Sequence, residues 1–219
     1  REIFRIKKDV AKKIFSFGAS SFVTQMSITL VQITINNTIR HFGAMSVYGT
    51  DIPLSVIGIV MKVNMVVTSV ILGIAIGSQP IWGYNYGAGR FDRVRKTYRI
   101  SIMSASVFSI TGFLVFQIFT PQVVGIFGSE SQLYNEFAVM AFRIFLSGIF
   151  VLGFQITSAI YFQAVGKPLK SAFLSLLRQA LLLAPLAFIL PSIYGLEGLL
   201  YAGPVADITS SVVTAGFIM

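Results

Sequence analysis

Along its 219 positions the chain alternates between long apolar runs and short polar ones. Six runs approach the ~20 residues that a helix needs to cross a bilayer. They are Ile14–Ile39, Ile52–Gln79, Val94–Phe119, Phe137–Val165, Ala172–Ile193 and Leu199–Met219. None shows the short alternating segments of a membrane β-barrel. Backbone groups in hydrocarbon must be hydrogen-bonded internally, so the pattern predicts six spanning helices. The intervening stretches carry turn chemistry: "HFGAMSVYGTDIP", "TPQVVGIFGSES", "AVGKP" and "LPSIYGLEG". Asp51 before Pro53, and Ser129/Ser131 before the fourth run, read as helix starts. Pro80 follows a run it cannot easily continue, which predicts a structured turn from there.

Composition agrees. With 55% hydrophobic and 11% charged residues, and a mean hydropathy of +0.80, too little polar material exists to cover a soluble domain. The fold class is therefore all-α and transmembrane. The net charge of +9 would suit nucleic acid, but its distribution argues otherwise. Six cations precede span one (Arg1, Arg5, Lys7, Lys8, Lys12, Lys13), five follow span two (Arg90, Arg93, Arg95, Lys96, Arg99), and Lys167 and Lys170 follow span four. The alternate loops hold Arg40 alone. This asymmetry predicts a multi-pass plasma-membrane protein whose basic loops, and both ends of this segment, are cytoplasmic. No nucleic-acid partner is expected.

Ile3, Ile6, Val10 and Ile14 fall on one helical face among lysines and arginines. Residues 1–13 are accordingly expected to form an amphipathic connector on the membrane surface, with 14–219 as the six-helix unit; a charged stop flanking span one is the plainer reading. The chain starts at Arg1 without Met and stops in apolar sequence at Met219, as expected of a piece of a longer polypeptide, with a natural truncation left open. No signal-peptide core is visible. Without cysteine, and with His41 as the single histidine, neither disulfides nor a metal site is predicted. No resident cofactor is expected.

Function should lie where polar residues enter spans despite the cost. Lys62, Arg143, Arg178 and Asp207 do so. Counted from the outer ends of spans two, four and six, Lys62, Arg143 and Asp207 lie at similar depth, about six to ten residues in. Asp207, the one acidic residue within a span, is expected to pair with Arg143 or Lys62 beside a water-filled cavity. There a proton or a cationic substrate can compete for the carboxylate; a static pair fixing helix packing is the alternative. Arg178 is expected to reach the cytoplasmic interface. In span one, Ser21, Gln25, Thr29, Gln32 and Asn36 form a polar stripe, read as interhelical glue or as a solvated pathway. Gln155, Ser158 and Gln163 repeat the signal weakly in span four. Gly58, Ser69, Gly73 and Gly77 share a face of span two with Lys62 and predict close approach of a neighbouring helix.

"GSQPIWGYNYGAGRFDRV", holding Gln79, Pro80, Gly83, Tyr84, Asn85 and Gly87, resembles the signature in the second half of MATE (multidrug and toxic compound extrusion) transporters. "YFQAVGKPLKSAFLSLLRQ" and "GPVAD" are similar to the same half. The resemblance implies one six-helix lobe of a twelve-helix, two-lobe transporter, whose partner is the N-terminal lobe of the same protein. It implies a secondary antiporter for multidrug efflux, exporting organic, often cationic compounds in exchange for H+ or Na+. Some branches of that family bind cations through acidic residues in the first and fourth spans of this lobe. Here Gln25, Gln32 and Arg143 stand instead, so sodium coupling through this lobe is not expected, and the coupling acid is sought in the other lobe. A flippase for lipid-linked oligosaccharides is the alternative, kept open by Lys62, Arg143 and Arg178. No P-loop is present, so ATP is not the direct energy source. An enzyme would need clustered carboxylates or a nucleophile dyad, and the chain offers neither.

Overall fold

The computed structural model of the chain describes residues 8–128 and 131–218; before Gln25, most of the first helix is described by its backbone alone. About half of the predicted connector (residues 1–7) thus lies outside the described residues. From Lys8 its remainder continues unbroken into the first long helix.

Among the described residues every regular element is helical. The order is α1 Lys8–Ala44, α2 Asp51–Gly87, α3 Phe91–Ile118, a short α4 Thr120–Ile126, α5 Gln132–Phe145, α6 Leu152–Ala164, α7 Pro168–Leu176, α8 Ala184–Tyr194 and α9 Leu196–Ile218. A 3-10 segment, Leu146–Val151, joins α5 to α6, and a π segment, Leu177–Leu183, joins α7 to α8. The result is six long rods, matching the six apolar runs.

Four rods are long and apolar enough to cross a membrane: Asp51–Gly87, Phe91–Ile118, Gln132–Ala164 and Pro168–Tyr194. The other two, α1 and α9, are not short, at 37 and 23 residues. They are the rods that carry the amide stripe and Asp207. Large apolar side chains such as Met65, Ile76, Met103, Val107, Phe188 and Ile193 face outward. That surface suits lipid and would be unfavourable in water.

Ser131 caps α5 by accepting a hydrogen bond from the Tyr134 N–H at 3.1 Å. Asp51 opens α2, although the Thr50 side chain makes no cap. The expected stop at Pro80 is wrong: α2 runs through it to Gly87. Proline forfeits one backbone hydrogen bond, but the turns beyond it are held by packing. Trp82 is fully buried between Tyr98 and Tyr161, and the Asn85 amide donates to the Ile81 carbonyl at 2.8 Å. The turn itself is confined to three residues. Arg90 N–H bonds to Asn85 O and Gly89 N–H to Tyr86 O, with Gly89 at φ 69°. This is a Schellman closure, which needs a residue free to take positive φ. The α6–α7 turn repeats it: Lys167 N–H bonds to Phe162 O, Gly166 N–H to Gln163 O, and Gly166 has φ 74°. In both turns a cation follows the glycine and leads into the next helix.

The core joins Ile35 and Ile39 of α1, Val60 and Ile71 of α2, Phe137 and Phe142 of α5, and Leu199 and Leu200 of α9. The closest backbone approaches lie elsewhere than expected. A Cβ on Gly58, Gly73 or Gly77 would meet no atom within 4 Å, so the small-residue face of α2 packs against nothing in the described chain. The tightest sites are Gly153, pressed on the Ala105 carbonyl of α3, and Gly198, pressed on the Leu190 carbonyl of α8. Gly153→Ala should therefore destabilise the full-length protein by about 1–3 kcal/mol through overpacking. Gly73→Ala, at a site that no helix of the described chain covers, should cost less than Gly153→Ala, and thermal inactivation in detergent compares the two.

Candidate functional site

Asp207 sits halfway along α9 and is buried. Its partner is neither Arg143 nor Lys62. Arg178 Nε donates to Asp207 Oδ1 at 2.6 Å, the one salt bridge among the described residues. The two side chains retain only 13% and 8% of their exposure. Arg178, assigned from sequence to the interface, thus turns inward. The reason is depth: it lies ten positions beyond Pro168, and Asp207 eleven before Ile218, both counted from the end that carries the basic turns. Counting from that end would have matched the two; counting from the other end matched Asp207 to the wrong cations.

Around the pair two rods depart from α-geometry, and a third carries an internal proline. Along the fifth rod, Leu174, Arg178, Leu183, Ala187 and Pro191 turn inward, with spacings of four, five, four and four. A five-residue step is 140° out of phase in an α-helix. The π segment Leu177–Leu183 absorbs the extra residue, because its hydrogen bonds span five positions. Along the fourth rod, Leu146, Ile149 and Leu152 are all buried at a spacing of three. Side chains three apart align in a 3-10 helix, which is what Leu146–Val151 forms. The sixth rod holds Pro204 inside α9.

These three features meet. A Cβ on Gly148, within the 3-10 segment, would lie 2.8 Å from Pro204 Cα and 3.0 Å from Asp207 Oδ2. Glycine at 148 thus lets the fourth rod press on the carboxylate. Ser210 Oγ donates to the Asp207 carbonyl at 3.0 Å, and Thr214 Oγ1 to the Ser210 carbonyl at 2.7 Å. Irregular backbone at membrane depth is tolerated where protein or water covers it.

The remaining candidates are dispersed. Arg143 is exposed; its Nε donates to Thr120 Oγ1 at 3.3 Å, and its carbonyl accepts from Gln117 Nε2 at 2.8 Å. It belongs to the α4–α5 end, remote from the basic turns. Lys62 is exposed on α2 without a hydrogen bond or ion pair among the described residues. Gln25, Thr29, Gln32 and Asn36 keep their line along α1 and are all exposed; the side chain of Ser21 is outside the described set. Gln155 is buried, and its Nε2 donates weakly to the Leu174 carbonyl at 3.4 Å. Ser158 is buried and bonded to the Tyr98 hydroxyl at 2.8 Å, whereas Gln163 is exposed. Of the signature residues, Gly83 lies 3.4 Å, at its would-be Cβ, from the Ala164 carbonyl, and Asn85 is buried at the helix end. Gln79 is half-buried, while Pro80, Tyr84 and Gly87 are exposed.

Breaking a buried pair strands a charge, whereas removing both partners does not. Asp207→Asn or Arg178→Gln alone should lower the stability of the full-length protein by about 3–5 kcal/mol. The double variant should recover most of that loss, as a double-mutant cycle on thermal unfolding will show.

The MatE family model matches residues 20–189. The multidrug export protein MepA of Staphylococcus aureus is 21% identical over 202 residues, which is 91% of this chain and 42% of the relative. MepA of Staphylococcus haemolyticus is 20% identical over the same share. Among solved structures, the MATE multidrug transporter DinF-BH is 34% identical, with a TM-score of 0.83 over 98% of this chain and 46% of that one. A MOP superfamily transporter from Pyrococcus furiosus, 20% identical, reaches 0.85 over 99% and 47%. The chain thus spans about half the length of the proteins it matches, one six-helix lobe's worth. Its family match covers five of the six rods, and on that ground this chain belongs to the MatE family.

Proposed function

We propose that the full-length protein is a secondary antiporter that exports organic, often cationic compounds in exchange for H+ or Na+, and that this chain supplies one of its two lobes. The observation that carries the reading is the buried Arg178–Asp207 pair, set where two rods depart from α-geometry and a third carries an internal proline. Helices with such breaks can shift between two packings, which a rocking transporter requires. The exposed stripe of Gln25, Gln32 and Asn36, with Lys62 unpartnered on α2, suits a face turned to water and a second lobe. The relatives, a multidrug export protein and a multidrug transporter among them, point the same way. The flippase alternative loses support, because Asp207 neutralises Arg178 and Arg143 stands apart at the α4–α5 end.

Orientation belongs to the same proposal. Arg95 and Arg99 of α3 and Lys167 and Lys170 beside α7 line one cavity, so the basic turns share one end of the bundle. That end is assigned to the cytoplasm of the plasma membrane, with the ends of this segment. The coupling acid is either Asp207 or a carboxylate of the other lobe.

Three measurements test this. Cells expressing the full-length protein should expel a fluorescent cationic dye when a proton or sodium gradient is imposed; uniform retention under both gradients would defeat the antiporter reading. Asp207→Asn, expressed at the normal level, should lose at least tenfold in gradient-driven efflux if Asp207 couples, while full activity would leave the pair a purely structural role. For orientation, a cysteine replacing Arg90 should resist a membrane-impermeant maleimide in intact cells and react after permeabilisation.

A further inference from the structure

A cavity of about 570 Å³ opens at the end of the bundle that carries the basic turns, away from the Arg178–Asp207 pair. Four cations line it: Arg95 and Arg99 from α3, Lys167 from the α6–α7 turn and Lys170 from the first turn of α7. No carboxylate is among the lining residues, and none of these cations has an ion-pair partner among the described residues. Four uncompensated positive charges around one concavity repel one another and lower the potential energy of any anion that enters.

The walls are apolar and aromatic. Lys170 Nζ stands 5.6 Å from the ring centres of both Phe162 and Phe217, a double cation–π contact that holds the ammonium in place before anything binds. Tyr98 and Tyr161 stack with centroids 4.3 Å apart. The Tyr98 hydroxyl is taken by Ser158, whereas Tyr161 makes no hydrogen bond among the described residues and leaves a donor on the wall. Val94, Val165 and Ile218 complete an apolar lining.

We infer that this cavity binds the headgroup of an anionic phospholipid, with its phosphates on the four cations and the start of its acyl chains against Phe162, Phe217 and Ile218. Three observations favour that occupant. The cations exclude the cationic compounds proposed as transport substrates. The cavity lies at the ends of apolar rods, where bilayer phosphates are found. Its volume suits a headgroup and is too small for a whole lipid. A free phosphate offers the same charge but leaves the aromatic walls unused.

Thermal unfolding of the full-length protein in detergent provides the test. A phospholipid with two phosphodiesters should raise the midpoint in a saturable way. Phosphatidylcholine, and inorganic phosphate at matched phosphate concentration, should not. Lys167→Gln with Lys170→Gln should leave the lipid-free midpoint in place and weaken binding by about fivefold per cation removed. Arg99→Gln serves as an independent variant if that double variant folds poorly. An equal response to phosphatidylcholine, or to inorganic phosphate alone, would overturn the inference. So would an undiminished response in the variants, or none in the parent, as when another segment of the longer protein fills the cavity. The dye-efflux measurement is separate, so the transport proposal and this site can fail independently.

Discussion

A charge in hydrocarbon is tolerated only where another group compensates it, and around Arg178 and Asp207 that constraint organises half of the helices. The pair is a costly way to hold two rods together, since desolvation of both ions offsets much of their attraction. Its geometry is correspondingly demanding. Arg178 must face α9, while Leu183 and Ala187, a turn or two on, must still face the core. An unbroken α-helix cannot satisfy both, and the π segment reconciles them. On the opposite flank, a 3-10 segment brings Gly148 onto the carboxylate and aligns Leu146, Ile149 and Leu152. The departures from α-geometry are therefore consequences of placing one ion pair among apolar side chains.

The two ends of the bundle differ for a related reason. At one end, Schellman closures at Gly89 and Gly166 make turns only a few residues long, each followed by a cation. Short turns bring the cations of two hairpins around a single cavity, where a longer loop would let them spread into solvent. At the other end Arg143 bonds to Thr120 and Gln117, and α4 packs against α5. A third surface, the small-residue face of α2, has no neighbour in the described chain, and the amide stripe of α1 is likewise exposed. Membrane helices rarely leave glycines and amides to acyl chains. This surface is the natural counterpart for the proposed second lobe.

Much of this was legible in order. Each apolar run became a rod, because crossing a bilayer sets a length and a composition that any reading frame of the chain displays. The cap at Ser131 and the glycine turns were equally local. Pro80 misled because its local cost is real and is outweighed by the burial of Trp82 and Asn85, contacts with helices distant in sequence. The small residues of α2 are a different case: spacing marks a face on which close packing is allowed, and no helix of the described chain packs there.

The order of residues alone determined the six rods, the segregation of the basic turns, the amide stripe and the isolation of Asp207 as the acid within a span, since each depends on neighbours along one helix. Which cation meets that acid was a matter of how rods lie beside one another, and only the tertiary structure decided it. The spacings that encode the π and 3-10 segments were present throughout, five residues from Arg178 to Leu183 and three from Leu146 to Ile149. They acquire meaning only once burial shows which side chains must share a face, because a spacing is a phase, and a phase needs a partner surface to be measured against.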